Sequence, residues 1–340
     1  MKPKVAVLVL NYNGVNWLKR CLPSLFRTEY ENLEVWVIDN GSSDDSVDFV
    51  RATHPNAEIL MFEENLGFAE AYNRAINSVQ ADYVVLLNND VTVPEADWIE
   101  RLLETIETDR RIGGVQCKLV SMNDPTHLDS VGGTGVRYWL GFTEIGKLQV
   151  DTGRYDDPPV TPFYLCAAAA LIRRQAFLDV GGFDNAFFAY IEDVDFSWRL
   201  RLAGYLIAYQ PAARIAHFWQ GSTNQSVTWR TYMQRRNLLR TILKNCGSTT
   251  ILWALRNYIL HSIILAVAYT AREPRRAFAI LRAWTWNITH LRDTYRQRIK
   301  IQSGRRIAEE SILRSMYPPI PYRPLSKERL HHILSLVFSR

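Results

Sequence analysis

The chain of 340 residues is poor in cysteine: Cys21, Cys117, Cys166 and Cys246 are widely separated and form no C-x-x-C pair. That spacing excludes a zinc ribbon and a disulfide framework and fits a reducing compartment. The opening residues Met1-Lys2-Pro3-Lys4 lead into Val5–Leu10, an apolar run too short for a signal-peptide core. It ends in Asn11-Tyr12-Asn13-Gly14 rather than a small-residue cleavage site, so it reads as a strand. Uncharged apolar runs of membrane-spanning length are also lacking. The uncharged, mostly apolar run 257–271 is about 15 residues, short of the roughly 20 needed to cross a bilayer. There are no internal repeats and no low-complexity tract. Hydrophobic residues at 47% and charged residues at 22% exclude wholesale disorder.

The net charge of +5 conceals an asymmetry. Residues 248–340 carry 16 Lys/Arg and 5 Asp/Glu, whereas residues 1–247 carry 24 and 30. An acidic front suits a cation site, and a basic back suits an anionic partner such as a membrane surface or a nucleic acid.

Over the first 120 residues, short apolar runs alternate with helix-like stretches. Strands are expected at Val5–Leu10, Leu33–Ile38, Ala57–Phe62, Tyr83–Leu87 and Gly114–Val120. Helices are expected at Val15–Phe26, Ser43–Thr53, Gly67–Val79 and Ala96–Glu107. Continuous apolar strands alternating with helices imply an α/β fold with a mostly parallel central sheet covered on both faces. Ligands bind such sheets beyond the carboxyl ends of the strands. There stand Asn11, Asp39, Asn65 and Asn88-Asn89-Asp90. Residues 121–160 read as loops with a small hairpin, Phe163–Ile172 as a buried strand, Val194–Ala203 as a helix ended by Gly204, Tyr205–Tyr209 as a strand and Ser226–Asn245 as a helix with a basic face.

Four features carry chemistry. Asp39, in Val37-Ile38-Asp39-Asn40-Gly41-Ser42, is either an acceptor for a base imide or sugar hydroxyl, or an Asx turn capping the next helix. Leu86-Leu87-Asn88-Asn89-Asp90-Val91 offers a hard oxygen ligand for Mg²⁺ or Mn²⁺, or again a turn. Glu192, Asp193 and Asp195 follow the aromatic segment Phe187-Phe188-Ala189-Tyr190. They complement a helix N-terminus or include a general base at a sugar-binding wall. His217, after an apolar strand, is structural or a ligand.

In order, Asn11-Tyr12-Asn13-Gly14, Asp39-Asn40-Gly41-Ser42, Asn65-Leu66-Gly67-Phe68-Ala69, Leu87-Asn88-Asn89-Asp90, Gly181-Gly182-Phe183-Asp184 and Glu192-Asp193-Val194-Asp195 resemble the family 2 glycosyltransferases. The branch with bacterial rhamnosyltransferases is the most similar, and the resemblance covers about residues 4–245. It implies a GT-A, Rossmann-like fold, an inverting mechanism and a divalent cation, Mg²⁺ or Mn²⁺. Leu10, Asn11, Tyr12, Asn13 and Asp39 would contact the nucleotide. Asn65, Gly67, Asn73, Asn88 and Asn89 would line the nucleotide-sugar cleft. Asp90 matches the last Asp of the family's DxD motif as metal ligand, with Asn88 a departure at its first position, and His217 would complete the shell. Asp193 resembles the catalytic base, needing to be ionised and helped by a nearby cation. Glu192, Arg235 and Arg236, with Asn237, would serve the diphosphate or acceptor.

The implied partners are a dTDP- or UDP-sugar donor and a glycan or lipid-linked glycan acceptor, with rhamnose the leading donor sugar. A nucleotidyltransferase would want a Gly-rich basic loop after strand one, where the nearest basic residues are Lys19 and Arg20. A nucleic-acid-binding protein using the basic C-terminus would leave the ordered carboxylates unexplained. Three regions follow: a donor half (1–120), an acceptor and catalytic half (121–247), and a basic helical region (248–340). In the last, Trp284, Trp286, Ile288 and Leu291 interleave with Arg and Lys across 272–306, as in a helix lying in a membrane interface. The expected location is cytoplasmic, peripheral on the inner face of the cell membrane. The tail Tyr317–Pro321 is expected to be extended, with a short helix from Lys327.

Overall fold

A computed structural model of the chain describes residues 2–136, 141–218, 226–248 and 250–316. The expected extended stretch Tyr317–Pro321 and the helix from Lys327 lie outside the described residues.

The front half forms β1 (Val5–Asn11), α1 (Val15–Leu25), β2 (Leu33–Asp39), α2 (Ser46–Thr53), β3 (Glu58–Met61), α3 (Gly67–Ser78), β4 (Tyr83–Asn88), β5 (Val91–Thr92), α4 (Trp98–Glu107) and β6 (Ile112–Ser121). Then follow β7 (Leu128–Ser130), the hairpin β8 (Gly133–Val136) and β9 (Gly141–Glu144), β10 (Ala169–Arg173), α5 (Arg174–Asp179), α6 (Glu192–Leu202) and β11 (Leu206–His217). The main sheet has the order β3-β2-β1-β4-β10-β6-β11-β5, with β7 on β6. Strands β1 to β4, β6 and β11 run one way, while β5, β7 and β10 oppose them. The fold is therefore α/β with a mixed but mainly parallel sheet.

The alternation in β1 explains the two-sided cover. Val5, Val7 and Val9 join a core with Leu18, Leu22 and Leu25 of α1 and Trp98 and Leu102 of α4. Ala6 and Leu8 point the other way, onto Tyr72 and Ile76 of α3 and Phe196 and Leu200 of α6. Each fully buried Leu or Ile contributes about 1.5–3 kcal/mol.

Several boundaries differ from expectation. Only Ala169–Arg173 of the run 163–172 is strand, because Leu165 and Cys166 give their amides to Ser197 Oγ (3.0 Å) and Gln116 Oε1 (2.6 Å). The strand expected at 205–209 continues to His217 through a register shift between Gln210 and Arg214, where Pro211 cannot donate.

The C-terminal region comprises α7 (Val227–Asn245), α8 (Ile251–Thr270), α9 (Pro274–Thr289), α10 (Leu291–Ser303) and α11 (Glu309–Met316). Helix α8 is 20 residues with a mean hydropathy of 1.6, and its length and composition suffice to cross a membrane. The apolar run 257–271 understates it because Arg256 lies inside the helix. Ala254, Tyr258 and Ser262 form its inward face. The span 272–306 is two helices meeting at His290, and the expected outward face is only partly outward. Trp286 lies under the Arg236 guanidinium at 4.6 Å, and Trp284 packs on the core shared by α6, α7 and α8. Ile288 and Leu291 are exposed.

These helices are joined to the sheet domain by buried charge. Asp184 accepts from Arg240 Nε at 2.8 Å and from Lys244. Lys244 Nζ also lies 3.0 Å from Asp195, whose other oxygen pairs with Arg199 Nε at 2.8 Å. Burial opposes ionisation of Asp184, but Lys244 and Arg240 outweigh it and hold the carboxyl well below the ordinary range. The stabilisation is therefore complete above the ordinary carboxylate pKa and fades as pH falls below it. Asp184→Asn is expected to cost about 3–5 kcal/mol in urea unfolding at pH 7. The gap to wild type should shrink below about pH 4, where the wild-type contribution is itself declining.

Candidate active site

The C-terminal ends of β1, β2 and β4 form a polar shelf. Asn11 stands opposite Asp39, and Leu10 opposite Asn88. Buried Asn11 donates weakly to Asp39 Oδ1 (3.4 Å) and Ser42 Oγ (3.3 Å), and receives Asn89 Nδ2 on its own Oδ1 at 2.8 Å. Asp39 Oδ2 accepts the Ser42 amide at 3.1 Å. Asn13, at a φ of 48°, takes the Ser43 amide on its side-chain oxygen at 2.7 Å. Tyr12 projects outward, 44% exposed. Asn40 extends the shelf: it donates to Asn65 Oδ1 and Gly67 O, both at 3.1 Å, and accepts the Leu66 amide. Gly67 has a φ of +77°, and a Cβ there would meet Phe188 O at 2.5 Å, so glycine alone permits this approach.

Asp90 follows β4, and β5 pairs with the end of β11 so that His217 lies beside Val91. This brings His217 Nε2 to 3.4 Å from Asp90 Oδ1. Asp129 of β7 takes the other ring nitrogen, Nδ1, at 2.6 Å. Burial lowers the His217 pKa, but Asp129 and Asp90 outweigh it and raise the imidazole to about 9. A histidine oriented by one carboxylate and aimed at another matches the arrangement of a metal ligand with its supporting shell.

The opposite wall is the start of α6. Tyr190 and Ile191 both have positive φ, 69° and 71°, and this left-handed pair turns Glu192 and Asp193 into the helix. Asp193 Oδ1 accepts the Val194 amide at 2.8 Å. Burial pushes Asp193 up to about 7, against that hydrogen bond and with help from the charge of Glu144. Burial and the neighbouring Asp193 raise Glu192 to about 8. The expectation of a cation beside Asp193 is thus replaced by two carboxylates in a desolvated pocket. The two walls meet across one segment: Asn88 donates its amide to Ala168 O at 2.9 Å, and the Ala167 amide bonds to Asp193. Lys147 links them a second way, pairing with Glu144 and lying 3.8 Å from Asp129.

Four expected site residues sit behind this cleft. Asn73 clasps the backbone of Phe183, donating to its carbonyl at 2.9 Å and accepting its amide at 2.8 Å. Arg236 Nη2 donates to Ala186 O at 2.7 Å, and Asn237 donates to Ala189 O and Tyr190 O at 2.9 and 2.7 Å, so both hold the loop that carries Asp193. Arg235 faces α8, 3.3 Å from His261 Nδ1. Asp129, Glu144, Lys147 and Asn40 were not singled out from the sequence. The first three lie in the irregular stretch 121–160, where no sequence period marks them out.

A mainly parallel sheet with a polar shelf at its carboxyl edge, an Asp–His corner and a carboxylate on the other wall fits a glycosyltransferase of the GT-A fold. Residues 6–181 match Glycosyl transferase family 2, and the chain belongs to that family. A pre-mycofactocin glycosyltransferase of Mycobacterium tuberculosis is 33% identical over 218 residues, 63% of this chain and 42% of that protein. The chain thus spans less than half the length of that relative. An N-acetylglucosaminyl-diphospho-decaprenol L-rhamnosyltransferase of the same organism is 28% identical, over 66% of this chain and 79% of that protein. The mannosyltransferase PcManGT of Pyrobaculum calidifontis, solved with GDP-Man and Mn²⁺, shares the fold with a TM-score of 0.52 at 18% identity, over 93% of this chain and 87% of that one.

A carboxyl whose pKa is raised in the folded state keeps its proton while the unfolded chain loses it, so ionisation above the ordinary range costs stability. Glu192→Gln is therefore expected to raise the melting temperature at pH 8 by a few degrees, roughly what 1 kcal/mol yields, and to leave it nearly unchanged at pH 5. An equal change at both pH values would show that Glu192 is not held proton-bound by its surroundings.

Proposed function

We propose that the protein is an inverting glycosyltransferase that moves a sugar from a nucleoside-diphosphate donor to a hydroxyl of a glycan or lipid-linked glycan acceptor in cell-surface polysaccharide synthesis. The observation that carries this reading is the pairing of the Asp90–His217 corner with Asp193 across Ala167-Ala168, beside the Asn11–Asp39–Asn65 shelf. In this reading residues 1–120 hold the donor, 121–247 the acceptor and the chemistry, and 248–340 the membrane contact. The donor is a dTDP- or UDP-sugar, with dTDP-rhamnose leading, supported by the resemblance to the rhamnosyltransferase relative.

Asp39, Asn11 and Asn13 face the base and ribose, and Asn65 and Gly67 shape the sugar end of the cleft. Asp90 would hold Mg²⁺ or Mn²⁺, with His217 joining it once the imidazole gives up its proton to the arriving cation. Among the described residues no group of three His, Cys, Asp or Glu side chains is placed to hold a metal ion by itself, so the donor's phosphate oxygens and water would have to supply the remaining ligands. A bound cation supplies charge neutralisation on the departing diphosphate. Asp193 takes the proton of the acceptor hydroxyl as that oxygen attacks the anomeric carbon from the face opposite the leaving group, and one such displacement inverts the centre. Its raised pKa suits this role, because a base titrating near working pH is both available and strong enough.

The C-terminal helices support attachment to the inner face of a membrane. Leu252, Ile259, Ile264 and Val267 of α8 are exposed within the strongly basic region. Sedimentation with anionic vesicles at low salt should carry the protein down, and release by salt is expected; a protein left in the supernatant removes the membrane reading. A nucleic-acid partner is not expected.

Asp193→Asn should lower transfer about 10²–10⁴-fold while a nucleotide sugar with Mn²⁺ still stabilises the variant thermally. At a hundred times its dissociation constant a ligand adds about 2.7 kcal/mol, a readable shift. Wild-type transfer by this variant would exclude Asp193 as the base. The acid limb of kcat/KM is expected above the ordinary carboxylate range, falling as Asp193 gains its proton.

A further inference from the structure

Apart from the cleft just described, the first turns of α7 and α9 enclose a concavity of about 610 Å³. Trp229 and Tyr232 of α7 and Phe278 and Ala279 of α9 line it, with Arg275 and Arg282 beside them. Three observations bear on what fits there. First, Phe278 is 62% exposed, and the apolar strip continues along the same helix through Leu281 (51%) to Ile288 (72%). Phe278, Leu281 and Ile288 share one helical face with Thr285 between them, so the groove runs out into a mostly apolar strip along the helix. Second, neither Arg275 nor Arg282 pairs with a carboxylate among the described residues. Their neighbour Arg276 differs, being tied to Glu273 at 2.7 Å and to Tyr269. Arg282 lies over the Tyr232 ring at 5.0 Å, which holds its guanidinium at the groove. Third, Trp229 packs edge-on against Phe188 and Tyr190, with ring centroids 6.0 and 5.9 Å away. Those rings belong to the turn that delivers Glu192 and Asp193.

We propose that this groove binds the lipid end of the acceptor: a long-chain lipid phosphate or diphosphate whose chain lies along Phe278, Leu281 and Ile288 and whose phosphate meets Arg275 and Arg282. The apolar floor alone would accept any greasy segment. Two guanidinium groups without carboxylate partners add a demand for an anion, and phosphate matches their planar donor fork. The Trp229 contact places that phosphate next to the aromatic wall, so a sugar attached to it extends toward Asp193. The inference rests on the glycosyl-transfer reading and assigns it an acceptor site.

The test uses the full chain and three probes, farnesyl diphosphate, farnesol and inorganic pyrophosphate, with binding measured by calorimetry. Farnesyl diphosphate is expected to bind at least about ten-fold tighter than either fragment, which is about 1.4 kcal/mol. The double variant R275E/R282E should lose about ten-fold or more, and F278D should weaken binding as well. Both variants should keep the thermal shift given by a nucleotide sugar with Mn²⁺, which shows that they fold and retain the donor site. Unchanged affinity in the double variant would overturn the proposal. So would displacement of farnesyl diphosphate by phosphatidylglycerol vesicles at equal phosphate concentration, since the groove would then serve bulk membrane. If no nucleotide sugar stabilises the wild-type chain, the transferase reading falls and the acceptor role falls with it, whereas a failure of farnesyl diphosphate alone removes only the groove.

Discussion

The buried charge cluster of Asp184, Asp195, Arg199, Arg240 and Lys244 is the constraint on which the site depends. Arg240, Lys244 and Asp195 are almost wholly inaccessible to solvent. Removing such charges from water is costly, and the cluster holds because each carboxylate meets two cations, Asp195 accepting an amide hydrogen bond from Asn245 as well. Asp184 belongs to the loop before α6, Asp195 and Arg199 to α6, and Arg240 and Lys244 to α7. Their pairing therefore sets the distance between the sheet domain and the C-terminal helices. It also anchors one end of the loop that reverses through Tyr190 and Ile191. Arg236 and Asn237 hold the middle of that loop by its carbonyls, and Asn73 holds its start. A left-handed pair of non-glycine residues costs free energy, and it persists here because contacts from three helices leave the chain no relaxed alternative.

The two walls of the cleft are tuned in opposite directions by the same means. Both are buried, which disfavours charge. His217 faces two carboxylates and is pushed toward its cationic form, while burial and the charge of Glu144 push Asp193 toward its neutral form. Lys147 stands between them, against Glu144 on one side and near Asp129 on the other. The same bridge thus touches the shell that orients His217 and the environment of Asp193, so a cation arriving at one wall is felt electrostatically at the other.

The C-terminal helices have two faces with separate tasks. Inward, Trp284, Trp286 and Tyr258 pack on α6 and α7 and complete the cover over the chemistry. Outward, aliphatic residues and arginines are left to solvent. Composition alone assigned both tryptophans to the outer face, because interleaved Trp and Arg look alike whether the ring meets lipid or stacks under a guanidinium. The three-dimensional register of α9 on α7 distinguishes the two, through contacts such as Asn287 with Arg236 O at 3.0 Å.

Much of the fold was legible because burial imposes local patterns. Continuous apolar runs at 5–10, 33–38 and 83–87 had to be covered on both faces, and polar residues at their ends had to lie at the sheet's carboxyl edge. Asn11, Asp39 and Asp90 could be picked out from that logic alone. Residues that meet through long-range pairing could not. His217 reaches Asp90 only because β11 continues past a bulge at Pro211 and pairs with two-residue β5, and neither event has a sequence period to announce it. Asp129, Glu144 and Lys147 come from loops and short strands whose position depends on tertiary contacts. The sequence by itself determined which strands are buried and where their polar ends fall, since hydrophobic periodicity is a local property. Only the tertiary structure decided which of those polar groups face one another, because desolvation and charge pairing depend on neighbours brought from far along the chain.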